Sequence, residues 1–285
     1  MSIPPRIFDR ALVRQRRMRS ISGVPHFLHD IILAELADRI SVINRPLQTM
    51  LIHGSASDIF KSQARALRPK ARIFSSDILP AREVDVVFDD EAQPLAPSSL
   101  EAFIQPWGLE TTNDVPGVLA QIRRSLRQDG LLLAAVLGGD TLMELRQAWL
   151  AAETSAVGGA TPRVAPFIHI RQWGELLQRA DFALPVVDAD RRTVLYPDVV
   201  ALMRDLRAMG LGSSLAERSR TPMSRRLLAR LAEVYADQFC TSNGKLPATF
   251  EIIYLTGWAP HESQQQPLRP GSATRRLADF LKPGD

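Results

Sequence analysis

The apolar residues of this chain change their period several times, and each change marks an element. Phe27, Leu28, Ile31, Ile32, Leu36 and Ile40 recur at three- and four-residue spacing, which is the stripe of an amphipathic helix. Together with the basic stretch Arg6 to Arg19, this predicts helix over residues 5–45, broken near Asn44-Arg45-Pro46. Leu47 to His53 is then a short apolar segment, followed by Gly54-Ser55-Ala56-Ser57-Asp58. It reads as a first strand and its turn into a helix over Ile59 to Leu67. Arg72 to Ser76 reads as a second strand ending at Asp77, Val84 to Phe88 as a third ending at Asp89-Asp90-Glu91, and Leu100 to Ile104 as a weaker fourth ending at Gln105-Pro106-Trp107.

The best-formed unit runs from Asn113 to Arg146. Val118, Leu119, Ile122 and Leu126 form one stripe between polar residues. Asn113 or Asp114 suits the cap, and Pro116 suits the first turn, where its missing N–H costs nothing. Gln128-Asp129-Gly130 is expected to end the helix, with Gly130 free to take a positive φ. Leu131 to Leu137 is continuously apolar, as in a strand covered on both faces. Gly138-Gly139-Asp140 breaks it, and a helix from about Thr141 to Glu153 follows.

Beyond a flexible joint at Val157-Gly158-Gly159-Ala160, helices are expected over Ile170 to Ala180, Val199 to Met209 and Ser224 to Phe239. Strands are expected at Phe182 to Val187 and Arg192 to Tyr196, either separate or as one sixth strand and its extension, and at Phe250 to Trp258. Strands alternating with helices predict an α/β domain with a parallel sheet and helices on both sides. The division expected is an N-terminal helical segment, 1–45, a main domain, 46–260, and a polar Pro/Gln-rich tail, 261–285, ordered only in part.

Composition narrows the chemistry. At 285 residues with 45% hydrophobic and 23% charged positions, the chain is of ordinary globular type. One cysteine, Cys240, excludes an internal disulfide and a cysteine-rich metal site. The five histidines form no HExxH pair; His26 and His29 stand three apart without a matching carboxylate motif, so no metal is expected. No run of about 18 apolar residues exists, so no membrane span is expected, and peripheral association is left open. The net charge of +4 suits an anionic partner but, with no accompanying motif, not a nucleic acid. The arginine-rich start has the composition of a transit peptide, but Ile7, Phe8, Leu12 and Val13 give it a seam for docking, so a basic surface helix is the better reading.

Open α/β sheets bind ligands beyond the carboxyl ends of their strands. There stand Gly54 and Ser55 (with Ser57) after the first strand, Asp77 after the second, Asp89 and Asp90 after the third, and Gln105 to Trp107 after the fourth. A glycine lets backbone N–H groups approach an adenosine-type ligand. A carboxylate after the second strand accepts two ribose hydroxyls, and an acid after the third accepts an adenine amino group. Acids and glycines also end strands simply because they make turns. It is the order of all four positions that singles them out as candidate cofactor contacts.

Longer strings carry a family resemblance: Ile7-Phe8-Asp9-Arg10; Asn113-Asp114-Val115-Pro116-Gly117; Leu137-Gly138-Gly139-Asp140-Thr141-Leu142 with Glu144-Leu145-Arg146; Pro162 to Phe167; Leu202 to Gly210; and Pro247 to Pro260. In these the chain resembles class I S-adenosylmethionine-dependent methyltransferases of the BioC-like type, and within them the mitochondrial complex I assembly factor 5 group and its bacterial relatives. The resemblance implies a Rossmann-like seven-stranded methyltransferase sheet with an antiparallel last strand, N-terminal helices and a helical insertion at about 197–248. It also implies S-adenosylmethionine as cofactor, and a protein substrate or respiratory complex subunit as partner. Arginine hydroxylation is associated with the assembly-factor group.

The departures from the family pattern fall at the cofactor end. The family's first loop resembles Asp-Leu-Gly-x-x-x-Gly; here Ile52 stands in the acid's place, His53 follows, and only Gly54 survives. The third-strand motif keeps its acids and proline but not its hydrophobic partners, and Glu110-Thr111-Thr112 replaces a string with histidine and tryptophan. Two readings follow. One is an S-adenosylmethionine-dependent enzyme modifying a protein side chain or a small molecule, for which alignment of a good leaving group does most of the work. The other is a non-catalytic methyltransferase-fold scaffold in respiratory complex assembly, binding through the basic stretches Arg14 to Arg19 and Arg218 to Arg230. Because the Ile-Phe-Asp-Arg match begins at residue 7, a cytoplasmic location is expected.

Overall fold

The computed structural model describes residues 6–20, 27–54, 57–81 and 84–265. Seven strands form one sheet: β1 (Thr49–His53), β2 (Arg72–Asp77), β3 (Val86–Val87), β4 (Leu100–Gln105), β5 (Leu126–Leu137), β6 (Ala183–Tyr196) and β7 (Leu246–Trp258). Their spatial order is β3-β2-β1-β4-β5-β7-β6. The first five run parallel, and β7 lies antiparallel between β5 and β6. This is the class I methyltransferase sheet, with the reversed strand that the resemblance implies. The order reverses between β1 and β4, so the carboxyl ends of β1, β2 and β4 open on one crevice.

Among the described residues, eight helices accompany the sheet: α1 (Arg10–Ser20), α2 (Phe27–Ser41), α3 (Ser57–Leu67), α4 (Val115–Ser125), α5 (Met143–Val157), α6 (Ile170–Arg179), α7 (Val199–Ala208) and α8 (Arg225–Phe239). The uninterrupted apolar run of β5 is buried from Gly130 to Leu137 because both faces are covered. Residues of α2, α3, α5, α7 and α8 share one core with Leu131, Leu133, Ala135 and Leu137. Those of α4 and α6 share the other with Leu132, Ala134 and Val136. A third, smaller cluster joins Phe8 and Val13 to Ile78, Leu79 and Leu215. The expected docking seam is therefore used in part: Phe8 and Val13 are buried, while Ile7 is exposed.

Several sequence expectations need correction. The helix before β5 stops at Ser125, and β5 begins at Leu126. Gly130 does not take the positive φ; Asp129 does, at 64°. The strand is irregular here because its partner register jumps between Leu100 and Ala102, and the chain beyond β7 bonds the offset residues through Asp129 N–H to the Ala259 carbonyl and Ala259 N–H to the Gly130 carbonyl. Asp114 is the cap, accepting from Gly117 N at 2.9 Å. Asn113 instead accepts from Phe8 N at 2.7 Å and donates to its carbonyl at 3.2 Å, tying the N-terminal strap to the sheet. Of the two forms left open for 182–196, the single sixth strand with its extension is the one formed: fourteen residues, paired with β7 from Ala183 to Tyr196. The helix expected from Thr141 begins at Met143. The polar tail beyond residue 265, and His26, lie outside the described residues.

Gly138-Gly139-Asp140-Thr141-Leu142 proves to be a structural joint. Gly138 N–H donates to the Glu251 carbonyl at 2.8 Å and Leu142 N–H to the Thr249 carbonyl at 2.7 Å. The Thr141 hydroxyl donates to the Glu251 carbonyl and accepts from Glu251 N, both at 3.1 Å. Glu144 accepts from Thr249 N at 3.0 Å and from its hydroxyl at 2.5 Å. A Cβ on Gly139 would lie 2.1 Å from the His169 ring, so any larger residue there has to displace that ring. The joint locks the β5–α5 turn onto β7. Glu144→Ala leaves the buried Thr249 N–H and hydroxyl without their acceptor, and a cost of about 2–3 kcal/mol in urea unfolding is expected; a cost below ~0.5 kcal/mol, the level of an ordinary surface substitution, would remove the joint from the stability argument.

Among the described residues no helix is long and apolar enough to cross a membrane, and no three His, Cys, Asp or Glu side chains gather as a metal set. His29 packs edge-on against Trp107, ring centres 4.9 Å apart.

Candidate functional site

The crevice at the ends of β1, β2 and β4 brings together Gly54, Asp77, Asp90 and Gln105, four of the expected cofactor contacts, with Asp89 at its edge. Ser55 lies outside the described residues. Gly54 takes φ +117°, and a Cβ there would stand 2.7 Å from the Trp107 carbonyl; the position requires glycine. Its N–H is spent on the Ser76 carbonyl at 2.8 Å.

The carboxylates are engaged by the protein itself. Arg17 donates to Asp77 at 2.6 Å, and Leu79 N donates to the other oxygen at 2.9 Å. Both partners of this ion pair are buried, Arg17 at 8% exposure and Asp77 at 4%. Asp89 accepts from Arg10 at 2.7 Å and from Arg14 at 3.0 Å. Asp90 accepts from Arg10 at 2.6 Å on one oxygen, and from His53 Nε2 at 2.9 Å and Gln105 Nε2 at 3.0 Å on the other. Burial alone would push the Asp90 carboxyl up; His53 and Arg10 outweigh it and hold it well below the usual carboxylate range.

His53 completes this network. Its Nδ1 lies 2.8 Å from the Ser76 hydroxyl, and its ring stacks on Phe88 at 4.6 Å with 9° between planes. The residue that follows the lost acid of the first loop thus knits the ends of β1, β2 and the β3 turn into one buried polar cluster.

Arg10, Arg14 and Arg17 stand at i, i+4 and i+7 on α1, so they share one face. That face is turned onto the crevice. The Arg17 guanidinium fits between the first loop and the β4 turn: its Nη2 would be 3.6 Å from a Cβ on Gly54, and its Nη1 3.2 Å from one on Gly108. The expected basic surface helix thus turns three of its arginines not to solvent but to acids at strand ends distant in sequence. His53, Arg10, Arg17 and Glu110 are the site residues that sequence reasoning missed. For the arginines, the signal was their spacing at i, i+4 and i+7; for His53 and Glu110, it was that they stand where the chain departs from the family pattern at the cofactor end.

Glu110 lies beside this cation in the 3-10 turn Leu109–Thr111. Gly108 N donates to its Oε2 at 3.2 Å, while Oε1 is buried without a hydrogen-bond partner. Burial pushes the carboxyl up to about 7, against the opposing pull of its backbone donors and of Arg17.

Do these residues fit S-adenosylmethionine? The group that would accept ribose hydroxyls has both oxygens occupied, and a guanidinium fills the space above Gly54. The cavity left between α1, Trp107, Glu110 and the 209–214 loop is about 60 Å³, whereas sites for ligands of drug size run to about 300–1,000 Å³. In this arrangement the cofactor does not fit.

No family model matches the chain. Individual relatives do. Arginine-hydroxylase NDUFAF5, mitochondrial, from Danio rerio is 31% identical over 295 residues, covering 98% of this chain and 90% of the relative. The Homo sapiens protein of the same name is 33% identical over 292 residues, covering 97% and 84%. The malonyl-[acyl-carrier protein] O-methyltransferase of Laribacter hongkongensis is 33% identical over 285 residues, covering 93% and 89%. Among solved structures, the YcgJ protein from Bacillus subtilis superposes with a TM-score of 0.53 at 13% identity, over 80% of this chain and 99% of that one. A putative methyltransferase from Bacillus halodurans superposes with 0.52 at 12% identity, again over 80% and 99%. The distant structures share the fold; the sequence relatives place the chain more narrowly, and it belongs to the class I methyltransferase-fold family that includes the arginine hydroxylase NDUFAF5 and the malonyl-[acyl-carrier protein] O-methyltransferases.

Proposed function

We propose that this chain is a methyltransferase-fold scaffold that works by binding a protein partner, and that it does not turn over S-adenosylmethionine. The partner class suggested by the resemblance to the complex I assembly factor group is a respiratory complex subunit. One observation carries the reading: Arg17 of α1 forms a buried ion pair with Asp77 at 2.6 Å, in the place a nucleoside's ribose would need. The loss of the acid at Ile52 in the first loop agrees with it. A family member whose crevice is closed by its own helix keeps the fold, the insertion and their surfaces, and those suffice for a scaffold.

The second reading is a cofactor-dependent enzyme acting on a protein side chain, by methylation or, as in the relatives named arginine hydroxylase, by hydroxylation. It is favoured by the identity of 31–33% to NDUFAF5 proteins over nearly the whole chain and by Gly54, which keeps its backbone conformation.

Calorimetric titration with S-adenosylmethionine separates the two. The scaffold reading expects no saturable heat up to millimolar ligand, a binding energy weaker than about 4 kcal/mol. A micromolar dissociation constant would overturn it in favour of the enzyme.

A further inference from the structure

The face of α1 that does not meet the strand-end acids borders a second feature. A groove of about 370 Å³ runs between α5, the 163–167 segment, α7 and the 211–213 loop. Leu145, Trp149, Val164, Phe167, Met203 and Leu206 supply its apolar wall, and among the described residues its charged lining is Arg16, Arg163 and Arg207. Arg163 is committed to Glu153, at 2.5 and 2.8 Å, and stacks over Trp149. Arg16 and Arg207 make no ion pair with any described carboxylate, and Arg16 Nε is buried without a hydrogen-bond partner. Burial and the nearby guanidinium groups of Arg218, Arg19 and Arg207 push the Arg16 side chain down from its ordinary value.

Arg218 is answered by Asp9 at 3.4 Å, but Arg16, half-buried beside the exposed Arg207, has no such partner among the described residues, and a partly desolvated cation next to another costs free energy unless an anion joins them. Two basic stretches far apart in sequence meet here. Phe8 bridges to Leu215, Asp9 N donates to the Ser214 carbonyl and Ala216 N to the Ile7 carbonyl. Arg16 also lies so close to Gly212 that a Cβ there would collide with its guanidinium, so the loop is shaped to seat it.

We propose that this groove is the partner-binding site of the scaffold, and that it takes an acidic polypeptide segment presenting a bulky apolar side chain. The apolar wall receives the anchor, and Arg16 and Arg207 receive the flanking carboxylates. The assignment rests on the scaffold reading for its partner. Its test contains no S-adenosylmethionine, so the two fail separately.

The experiment is fluorescence anisotropy of the full chain with a labelled synthetic peptide, a Leu-Phe pair flanked on both sides by aspartates. A control peptide carries Ser-Ser in place of Leu-Phe, and a second carries lysines in place of the aspartates. Saturable binding of the first peptide alone is expected, weakened about tenfold or more in Arg207→Ser and in Met203→Lys, as befits a rim charge and an anchor wall. Arg207 is exposed and Met203 half-buried, so both variants are expected to fold, and circular dichroism checks that they do. Arg16→Ser is expected to act in the same direction. Equal binding of the Ser-Ser peptide, preference for the lysine peptide, absence of saturable binding, or indifference to Arg207→Ser and Met203→Lys would each overturn the proposal. So would tighter binding of a single-stranded oligonucleotide or of phosphatidylglycerol vesicles, which would assign the rim to polyanions at large.

Discussion

Arg17→Ala is expected to destabilise the protein by about 3–5 kcal/mol, the cost of breaking a buried ion pair by removing one partner. Asp77 is 4% exposed. Its Oδ1 keeps the Leu79 N–H, but its Oδ2 loses its charged donor, Arg17. The loss arises less from the pair's own attraction than from a carboxylate left dry and uncompensated. The same reasoning expects Arg17→Met combined with Asp77→Leu to recover most of the stability, because neither charge then remains in the crevice. Urea unfolding of both single variants and the double variant, with m-values compared, forms the necessary cycle. An Arg17→Ala cost below about 1 kcal/mol, the scale of a solvent-exposed pair, would mean that Arg17 does not close the crevice, and the scaffold reading would lose its main support.

Glu110→Gln is expected to stabilise the protein above neutral pH and to change little in acid. The folded carboxyl is raised to about 7 from an unfolded value near 4.3. Between those values the folded state holds a proton that the unfolded state has released. Wild-type stability therefore falls as pH rises from about 4.5, and the loss is complete once pH has passed the folded value. Over that interval the Glu110 contribution changes by on the order of 3 kcal/mol. Glutamine, which is neutral throughout, abolishes this slope while keeping the amide within reach of Gly108 N. Denaturation midpoints at pH 5 and pH 8 check it: a wild-type advantage at pH 8 would show that Glu110 is held as a useful carboxylate, paired with Arg17, and that the crevice is more polar than its burial implies.

Both expectations concern groups whose importance did not show along the chain. The sequence was most legible where one element decides its own form. The apolar run Leu131–Leu137 required a strand covered on both faces. The stripe from Phe27 to Ile40 required a helix with one buried side, and Asp114 ahead of Pro116 marked a helix start. The family strings added the count of seven strands and the reversed last strand. Boundaries moved where distant backbone decided them: Gly130 gave up its expected turn because Ala259 bonds the irregular start of β5.

The candidate site divides along the same line. Gly54, Asp77, Asp89, Asp90 and Gln105 were found from the sequence because a parallel sheet must gather the ends of its strands. What became of them was not in the sequence. A carboxylate binds a ribose or an arginine with the same lone pairs, and the choice depends on what is held against it.

By itself, then, the sequence determined the α/β architecture, the ends at which chemistry would have to occur and the absence of the usual first-loop acid. Periodicity, turn chemistry and string matches are local properties, and those features are local. Only the tertiary structure decided that α1 lies across the crevice, that Arg10, Arg14 and Arg17 neutralise its acids, and that Arg16 and Arg207 are left together beside an apolar groove. Those outcomes depend on contacts between residues some 60 to 190 positions apart, and the free energy of a charge is set by its neighbours in space.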